Sequence, residues 1–340
     1  MRFNLKLSAV RSAFSLPSLV CALLFFSGCG APSLLVTPVM RSDRLEETRV
    51  DVPDKPGRER IVVIPIDGLI ANVKTPSLLG TSENRISVFA QQLEKAAKDD
   101  DVKAVVLRIN SPGGTVTGSD TMYELVTRFR QKTGKPVVAS CQEVAASGGY
   151  YIACAADAIV AQPTSVVGSI GVIFNSVRVD GLMSKIGLKN ETIKSGPMKD
   201  MGSPFHPLSD GERKLMQQMV DEYYSRFTTV VRASRKPTDE ESFATSTDGR
   251  VMSGASALKV GLVDQLGLLE DAIQLARTKA NAPRAVGVMY RKPFGPTGSV
   301  YANSSIAGGS EASTEPARIV LDFGEYAPQL PGGFYFLWRP

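Results

Sequence analysis

The chain is poor in histidine, tryptophan and cysteine. Of its 340 residues one is histidine, one is tryptophan and four are cysteine. A zinc site needs several N, S or O ligands, so His206 cannot build one alone. No His/Cys/Asp cluster has metal-ligand spacing, and neither a metal nor any other cofactor is expected. Cys21 and Cys29 fall in the N-terminal segment. That leaves Cys141 and Cys154, whose apolar neighbours read as surroundings of small buried residues, and a disulfide between them is the less favoured reading. Net charge is small as well: the formal +5 includes Arg2, Lys6 and Arg11, from a stretch of 28 residues without an acid. With no basic stripe interleaved with aromatics, nucleic acid is not expected as a partner. Long hydrophobic runs are absent too. Ala13 to Phe26 is broken only by serines and Pro17, and it is short of the roughly 20 residues that a membrane span takes.

What stands at the N-terminus is the pattern of an export signal over residues 1–28, with basic positions followed by a short apolar core. It closes on Phe25-Phe26-Ser27-Gly28-Cys29. This resembles the lipobox of bacterial lipoproteins, and the resemblance implies that Cys29 carries lipid and becomes the new N-terminus. The alternative is an uncleaved anchor. Either places the rest of the chain outside the cytoplasm on a membrane surface, the periplasmic side of a cell envelope. Residues 29–60 mix Pro, Arg, Asp and Glu without periodicity, as a tether does.

From Ile61 onward β-branched runs alternate with amphipathic segments, and this predicts an α/β domain over 61–282 with a parallel-rich sheet. Arg60–Ile66 and Val102–Asn110 read as buried strands, Ser87–Lys98 and Ser119–Arg130 as helices. Ser209-Asp-Gly-Glu212 is a capping box that opens the longest helix. Along it Met216, Tyr223, Phe227 and Val231 fall at helical spacing, a core or subunit-contact stripe. Residues 283–340 are rich in Gly, Ser and Pro and read as a mostly disordered tail with an apolar tip at Phe334–Trp338. That tip is expected to dock on the domain or stay disordered, with occupation of a substrate groove as a further alternative.

Three successive strands end in turns of small residues. Ser111-Pro-Gly-Gly114 offers N–H groups able to receive a backbone oxygen, which makes Gly113 and Gly114 candidates for half of an oxyanion hole. Thr164–Gly171 is a second loop of this kind. Between them Val137–Ala139 begins a strand and Gly149–Ala156 reads as helix, so Ser147 stands at a strand-to-helix corner. There its hydroxyl lies where free backbone N–H groups favour negative charge. Gly148 and Gly149 let a substrate backbone approach. The corner is related to the nucleophile turn of serine hydrolases, with Ala145 where G-x-S-x-G has its first glycine. The bland alternative is that Ser147 only caps a helix.

A serine nucleophile needs a base. His206 lies between Phe205 and Pro207 with no evident acid partner. A lysine serves when its ammonium is desolvated, because burial favours the neutral amine. Lys199, set among Gly196, Pro197, Gly202 and Pro204, is the lysine that does not read as an ordinary solvated surface group.

Together Ser111-Pro-Gly-Gly114, Ala146-Ser-Gly-Gly-Tyr-Tyr151, Gly168-Ser-Ile-Gly-Val172, Ser195-Gly-Pro-Met-Lys-Asp200 and Asp248-Gly-Arg-Val251 resemble the signal peptide peptidase A family, SppA, in its short single-domain form. The likeness runs from about Ile61 to Ala280. It implies a ClpP/crotonase-type α/β fold and a serine endopeptidase with a Ser-Lys dyad. Ser147 matches the nucleophile, Lys199 the general base, and Ser169 the hydroxyl that helps to hold that lysine. Gly114 with the N–H groups of Ser147 and Gly148 matches the oxyanion hole. The implied substrates are apolar peptides such as signal peptides left in the membrane. The implied assembly is a homo-oligomeric ring in which adjacent subunits share the dyad. The lipobox and the long C-terminal extension depart from the family pattern. Two rival readings stand beside this one: a catalytically inactive membrane-anchored scaffold, and a crotonase-type acyl-CoA enzyme. The export signal counts against the latter.

Overall fold

The computed structural model describes residues 45–73, 76–77, 80–81, 84–235, 239–291 and 333–338. The expected export signal, Cys29 and residues 292–332 lie outside the described residues. The strands are β1 (Glu46–Asp51), β2 (Arg60–Asp67), β3 (Pro76–Ser77), β4 (Gly80–Thr81), β5 (Val102–Ser111), β6 (Gly113–Thr115) and β7 (Val137–Ala146). They continue as β8 (Ala158–Ala161), β9 (Val166–Gly168), β10 (Ile173–Asn175), β11 (Val251–Ser253), β12 (Gln265–Leu266), β13 (Val286–Arg291) and β14 (Gly333–Leu337). The helices are α1 (Arg85–Lys98), α2 (Val116–Thr133), α3 (Gly148–Ala153), α4 (Asp180–Lys185), α5 (Asp210–Ser234), α6 (Glu240–Ser246), α7 (Gly254–Lys259) and α8 (Leu269–Lys279).

The main sheet runs β1-β13-β2-β5-β7-β8-β12, with β9 beside β7 and β11 beside β9. Strands β13, β2, β5, β7 and β8 are mutually parallel. Helices cover both of its faces, which is why its central strands are apolar on both sides. Alternation assigns the faces. Ile61, Val63, Ala104 and Val106 cluster with Leu269, Ile273 and Ala276 of α8. Val62, Ile64, Val105 and Leu107 join the larger core with Phe89, Val126 and Ile152 of α1, α2 and α3.

Caps set the helix ends. Asn84 accepts from the N–H groups of Ile86 and Ser87 at the start of α1, and the helix stops before the acidic Asp99–Asp101 run, where negative charge opposes the helix dipole. The capping box at Ser209 and Glu212 forms as expected; its Ser209 N–H and hydroxyl hold the Glu212 carboxyl below the usual carboxylate range. Of the α5 stripe, Met216, Phe227, Val230 and Val231 are buried. Leu215, by contrast, is exposed.

Two boundaries differ from expectation. The tether gives way at Glu46, where β1 pairs antiparallel with β13. The tail is not structureless from residue 283, because β13 lies between β1 and β2 and buries Val286, Val288, Met289 and Tyr290. Both strands are short and depend on partners remote in sequence, so local composition does not announce them. At the far end β14 forms the middle of a three-stranded antiparallel sheet, β10-β14-β6.

Because Val288 is fully buried, Val288→Ala is expected to lower the unfolding free energy by about 2 kcal/mol in a urea melt. An unchanged midpoint would mean that β13 is no part of the cooperative unit.

Candidate active site

The glycine turn after β5 is fixed by backbone pairing. The Ser111 hydroxyl donates to Gly68 O at 2.6 Å and accepts from Gly113 N at 3.1 Å. Ile70 N donates to Gly113 O at 2.9 Å, and Thr115 N to Ile70 O at 2.8 Å. Gly113 has φ 103°, open to glycine and strained for other residues. Gly114 is required for a different reason: a Cβ there would stand 1.8 Å from Ile70 O. Beneath the turn, Arg108 of β5 reaches Asp67 at 2.6 Å. Burial pushes the Asp67 carboxyl up, and the Arg108 charge pulls it part of the way back.

Ser147 stands between β7 and α3 with φ 51° and ψ −115°. A serine in this region of the map costs on the order of 1–3 kcal/mol and persists only where its surroundings enforce it. Here Ser147 N donates to Gly168 O at 2.7 Å and Ser147 O accepts from Tyr151 N at 2.8 Å. Its side chain makes no capping hydrogen bond, so the helix-cap alternative does not describe it. The residue is 1% exposed.

Ser169 has the same φ of 51°. The parallel register Ala145↔Val167 and Ala146↔Gly168 sets the two serines side by side, each one step past the last pair. Ser169 N donates to Arg250 O at 2.7 Å, and β11 pairs with β9 through Val251↔Gly168. The Asp248–Val251 stretch thus acts as a brace for Ser169, a role that its sequence alone did not disclose.

Lys199 lies apart from this pair in the chain's own contacts. It sits exposed in a run of turns, its N–H donating to Gly196 O at 3.1 Å. Among the described residues its ammonium makes no hydrogen bond or ion pair with Ser147 or Ser169. Neighbouring Lys194 takes Asp200 at 2.7 Å. His206 has the acid partner that the sequence did not suggest: Asp200, at 3.2 Å. Its imidazole is held above the ordinary histidine range, chiefly by donation from Nδ1 to Pro207 O, with Asp200 and Glu212 adding to it. Asp200, His206 and Glu212 each offer one ligand-type atom within 4.8 Å of the others. It is a cluster that sequence spacing did not reveal.

Cys141 and Cys154 are free and buried. Burial pushes the Cys141 thiol up to about 12 and raises Cys154 as well. Neither is a nucleophile at neutral pH, because the thiolate is the reactive form.

Residues 129–283 match the family model described as Peptidase family S49, and residues 78–167 that of Clp protease. A protein of Enterococcus faecium with the provisional name signal peptide peptidase SppA is 34% identical over 246 residues, covering 72% of this chain and 71% of the relative. The chain belongs to the SppA family. It is a serine peptidase with a ClpP-like α/β fold, and the acyl-CoA rival falls away. Among SppA relatives, the chloroplastic serine protease SPPA of Arabidopsis thaliana is 36% identical over 67% of this chain and 33% of its own length. Protease 4 of Salmonella typhi is 37% identical over 64% of this chain and 34% of its own length. The chain thus spans about a third of those two longer proteins.

From the raised thiols, iodoacetamide at about pH 8 is expected to leave Cys141 and Cys154 of the folded protein unmodified and its peptidase activity intact, read by mass spectrometry of tryptic peptides. Inactivation in step with labelling of either cysteine would place a thiol in the chemistry.

Proposed function

We propose that this SppA-family chain is a membrane-associated endopeptidase that uses Ser147 as nucleophile and Lys199 as general base, acting on apolar peptides such as cleaved signal peptides. The observation that carries the reading is the backbone of Ser147, held in a strained conformation at the end of β7 with its hydroxyl unused by the helix that follows. Strain of this kind collects at catalytic turns.

The reaction is acyl transfer. Neutral Lys199 takes the proton from Ser147 Oγ, the oxygen attacks the peptide carbonyl, and the oxyanion meets the N–H groups of Gly114 and Gly148. The amine leaves with the proton from Lys199, and water then hydrolyses the ester by the same route. Ser169, beside Ser147 in the sheet, orients the lysine. Gly113 shapes the turn.

The lysine is donated by an adjacent copy in a homo-oligomeric ring. This accounts for a Lys199 whose ammonium, among the described residues, makes no hydrogen bond or ion pair with its own Ser147. It also accounts for exposed Val177, Leu182, Ile186, Leu188, Ile193 and Met198 on the segment around it, a patch of the sort that an interface covers. Burial of the ammonium between copies supplies the desolvation that the base needs. Membrane attachment rests on the N-terminal signal and Cys29, since no helix among the described residues is long and apolar enough to cross a membrane.

Ser147→Ala and Lys199→Ala are each expected to lower cleavage of a signal-peptide-like substrate about a thousandfold or more. Co-assembly of the two variants should recover part of the wild-type rate, since mixed rings contain interfaces with both residues intact. Equal cleavage by wild type and both variants would overturn the nucleophile, and no recovery on co-assembly would overturn the shared dyad. Inactivity of a correctly assembled wild type would favour the scaffold reading.

A further inference from the structure

The turns that follow Lys199 bring three acceptor groups together. Ser203 N donates to Asp200 O at 3.0 Å, and Gly202 takes a positive φ of 78°. This segment is hung from the chain before α4: the Ser176 hydroxyl donates to Gly202 O at 3.3 Å, and Val179 N to Pro204 O at 2.8 Å. At its far end stands the capping box of α5. Asp200, His206 and Glu212, six residues apart in the chain, thereby converge with one ligand-type atom each within 4.8 Å of the others.

The bonds that these side chains make elsewhere leave one acceptor atom on each for the cluster. Asp200 Oδ1 accepts from Lys194 Nζ at 2.7 Å, while Asp200 Oδ2 faces His206 Nε2 at 3.2 Å. His206 Nδ1 lies 2.9 Å from Pro207 O. A carbonyl only accepts, so Nδ1 carries the proton and the neutral ring offers its Nε2 lone pair. Glu212 is 3% exposed. Its Oε2 accepts from Ser209 N at 2.7 Å and from the Ser209 hydroxyl at 2.9 Å. Its Oε1 is buried, and among the described residues neither that oxygen nor His206 Nε2 has a hydrogen-bond partner.

A buried acceptor without a donor costs free energy, and two lone pairs that face each other repel unless a cation lies between them. One proton on Nε2 serves a single neighbour, whereas a metal ion serves all three groups. Two ligands held at about 2.0–2.1 Å with tetrahedral angles stand about 3.3 Å apart. His206 and Asp200 already have that separation, and Glu212 reaches it by a small side-chain rotation. Donation from Nδ1 to a backbone carbonyl is also the bond that orients a metal-binding histidine, and Ser209 holds the Glu212 carboxylate in the same manner.

We propose that Asp200, His206 and Glu212 form a binding site for a divalent transition-metal ion of the zinc class, which ties the turn after Lys199 to the first turn of α5. One imidazole with two carboxylates suits zinc, whereas magnesium takes oxygen ligands in octahedral geometry. Lys194 offsets one of the two carboxylate charges, so the ion is held reversibly. The site stands on its own geometry; only its effect on rate rests on Lys199 as the base.

The test titrates zinc chloride alone into the full chain after dialysis against a chelator and then into metal-free buffer, by calorimetry, with hydrogen exchange followed at Lys199–Ser203. One zinc per chain is expected, with slowed exchange in that turn and no change at β2 and β5. His206→Gln and Glu212→Gln are each expected to weaken zinc binding by about a hundredfold and to abolish the slowed exchange. Because a capping box takes glutamine as well as glutamate, Glu212→Gln keeps the start of α5, and metal-free thermal melts check that both variants fold. Magnesium chloride should bind to none of the three. Absence of zinc binding, or equal binding by wild type and both variants, would overturn the site. Removal of zinc is expected to lower kcat on a signal-peptide-like substrate severalfold with KM little changed. Zinc binding as expected with kcat unchanged would uphold the site and overturn its link to the base. Zinc binding as expected with no hydrolysis by any form would uphold the site and overturn the peptidase role of Lys199 instead.

Discussion

Strand β7 changes partner half-way along one edge, and the site depends on that change. Its first half pairs with β8 through Val138–Cys141, and its second half pairs with β9 through Val144–Ala146. A buried carbonyl left open between the two would cost free energy. Ser165 closes the gap, its hydroxyl donating to Cys141 O at 3.1 Å while accepting from Gln162 N at 3.0 Å. Past this point β7 runs on beside a three-residue strand, and the two end together on serines with the same left-handed backbone. Neither serine is held by a helix cap. Each is held by a main-chain donor that has one acceptor within reach: Gly168 O for Ser147 and Arg250 O for Ser169.

The aromatic pair after Ser147 ties this edge to the remainder of the domain. Tyr150 and Tyr151 are both fully buried, and a buried phenol needs a partner. Tyr150 reaches Leu262 O at 2.7 Å, and Tyr151 points the other way to Asp120. One helical turn is thereby fastened to the loop before β12 and to α2. Burial raises both phenols well above their ordinary range, so they remain hydrogen-bond donors throughout the neutral range.

How much of this could be read from the chain varied with how local its cause was. Arg60–Ile66 and Val102–Asn110 are continuous apolar runs that carry their own signal, and they are β2 and β5. The Ser147 corner was legible because serine beside two glycines at a strand end leaves few alternatives. Val137–Ala139 reads as the start of a strand; the strand runs on to Ala146, a continuation that the polar Gln142 and Glu143 hide. Val166–Gly168 is a strand because it pairs with β7, and Val251–Ser253 because it pairs with Val166–Gly168. The β1 and β13 strands likewise owe their state to each other and to β2. Asp200, six residues before His206, is brought to it by a local turn in which Ser203 N donates to Asp200 O at 3.0 Å, a spacing that matches no acid–histidine motif. The constraint on the Lys199 loop is legible in its glycines and prolines, but among the described residues no hydrogen bond or ion pair relates Lys199 to Ser147.

The place of β13 bears on how the protein is made. Val286 aligns with Arg60, and Glu46 with Arg291, so β1 and β2 cannot be joined until the chain beyond the last long helix has been synthesised. Pairing at such separation is slow because loop closure precedes the contacts that reward it. Until then β2 presents an open edge and β1 has no partner. The nascent chain therefore lacks a finished sheet until Arg291, near the end of its 340 residues, has been added.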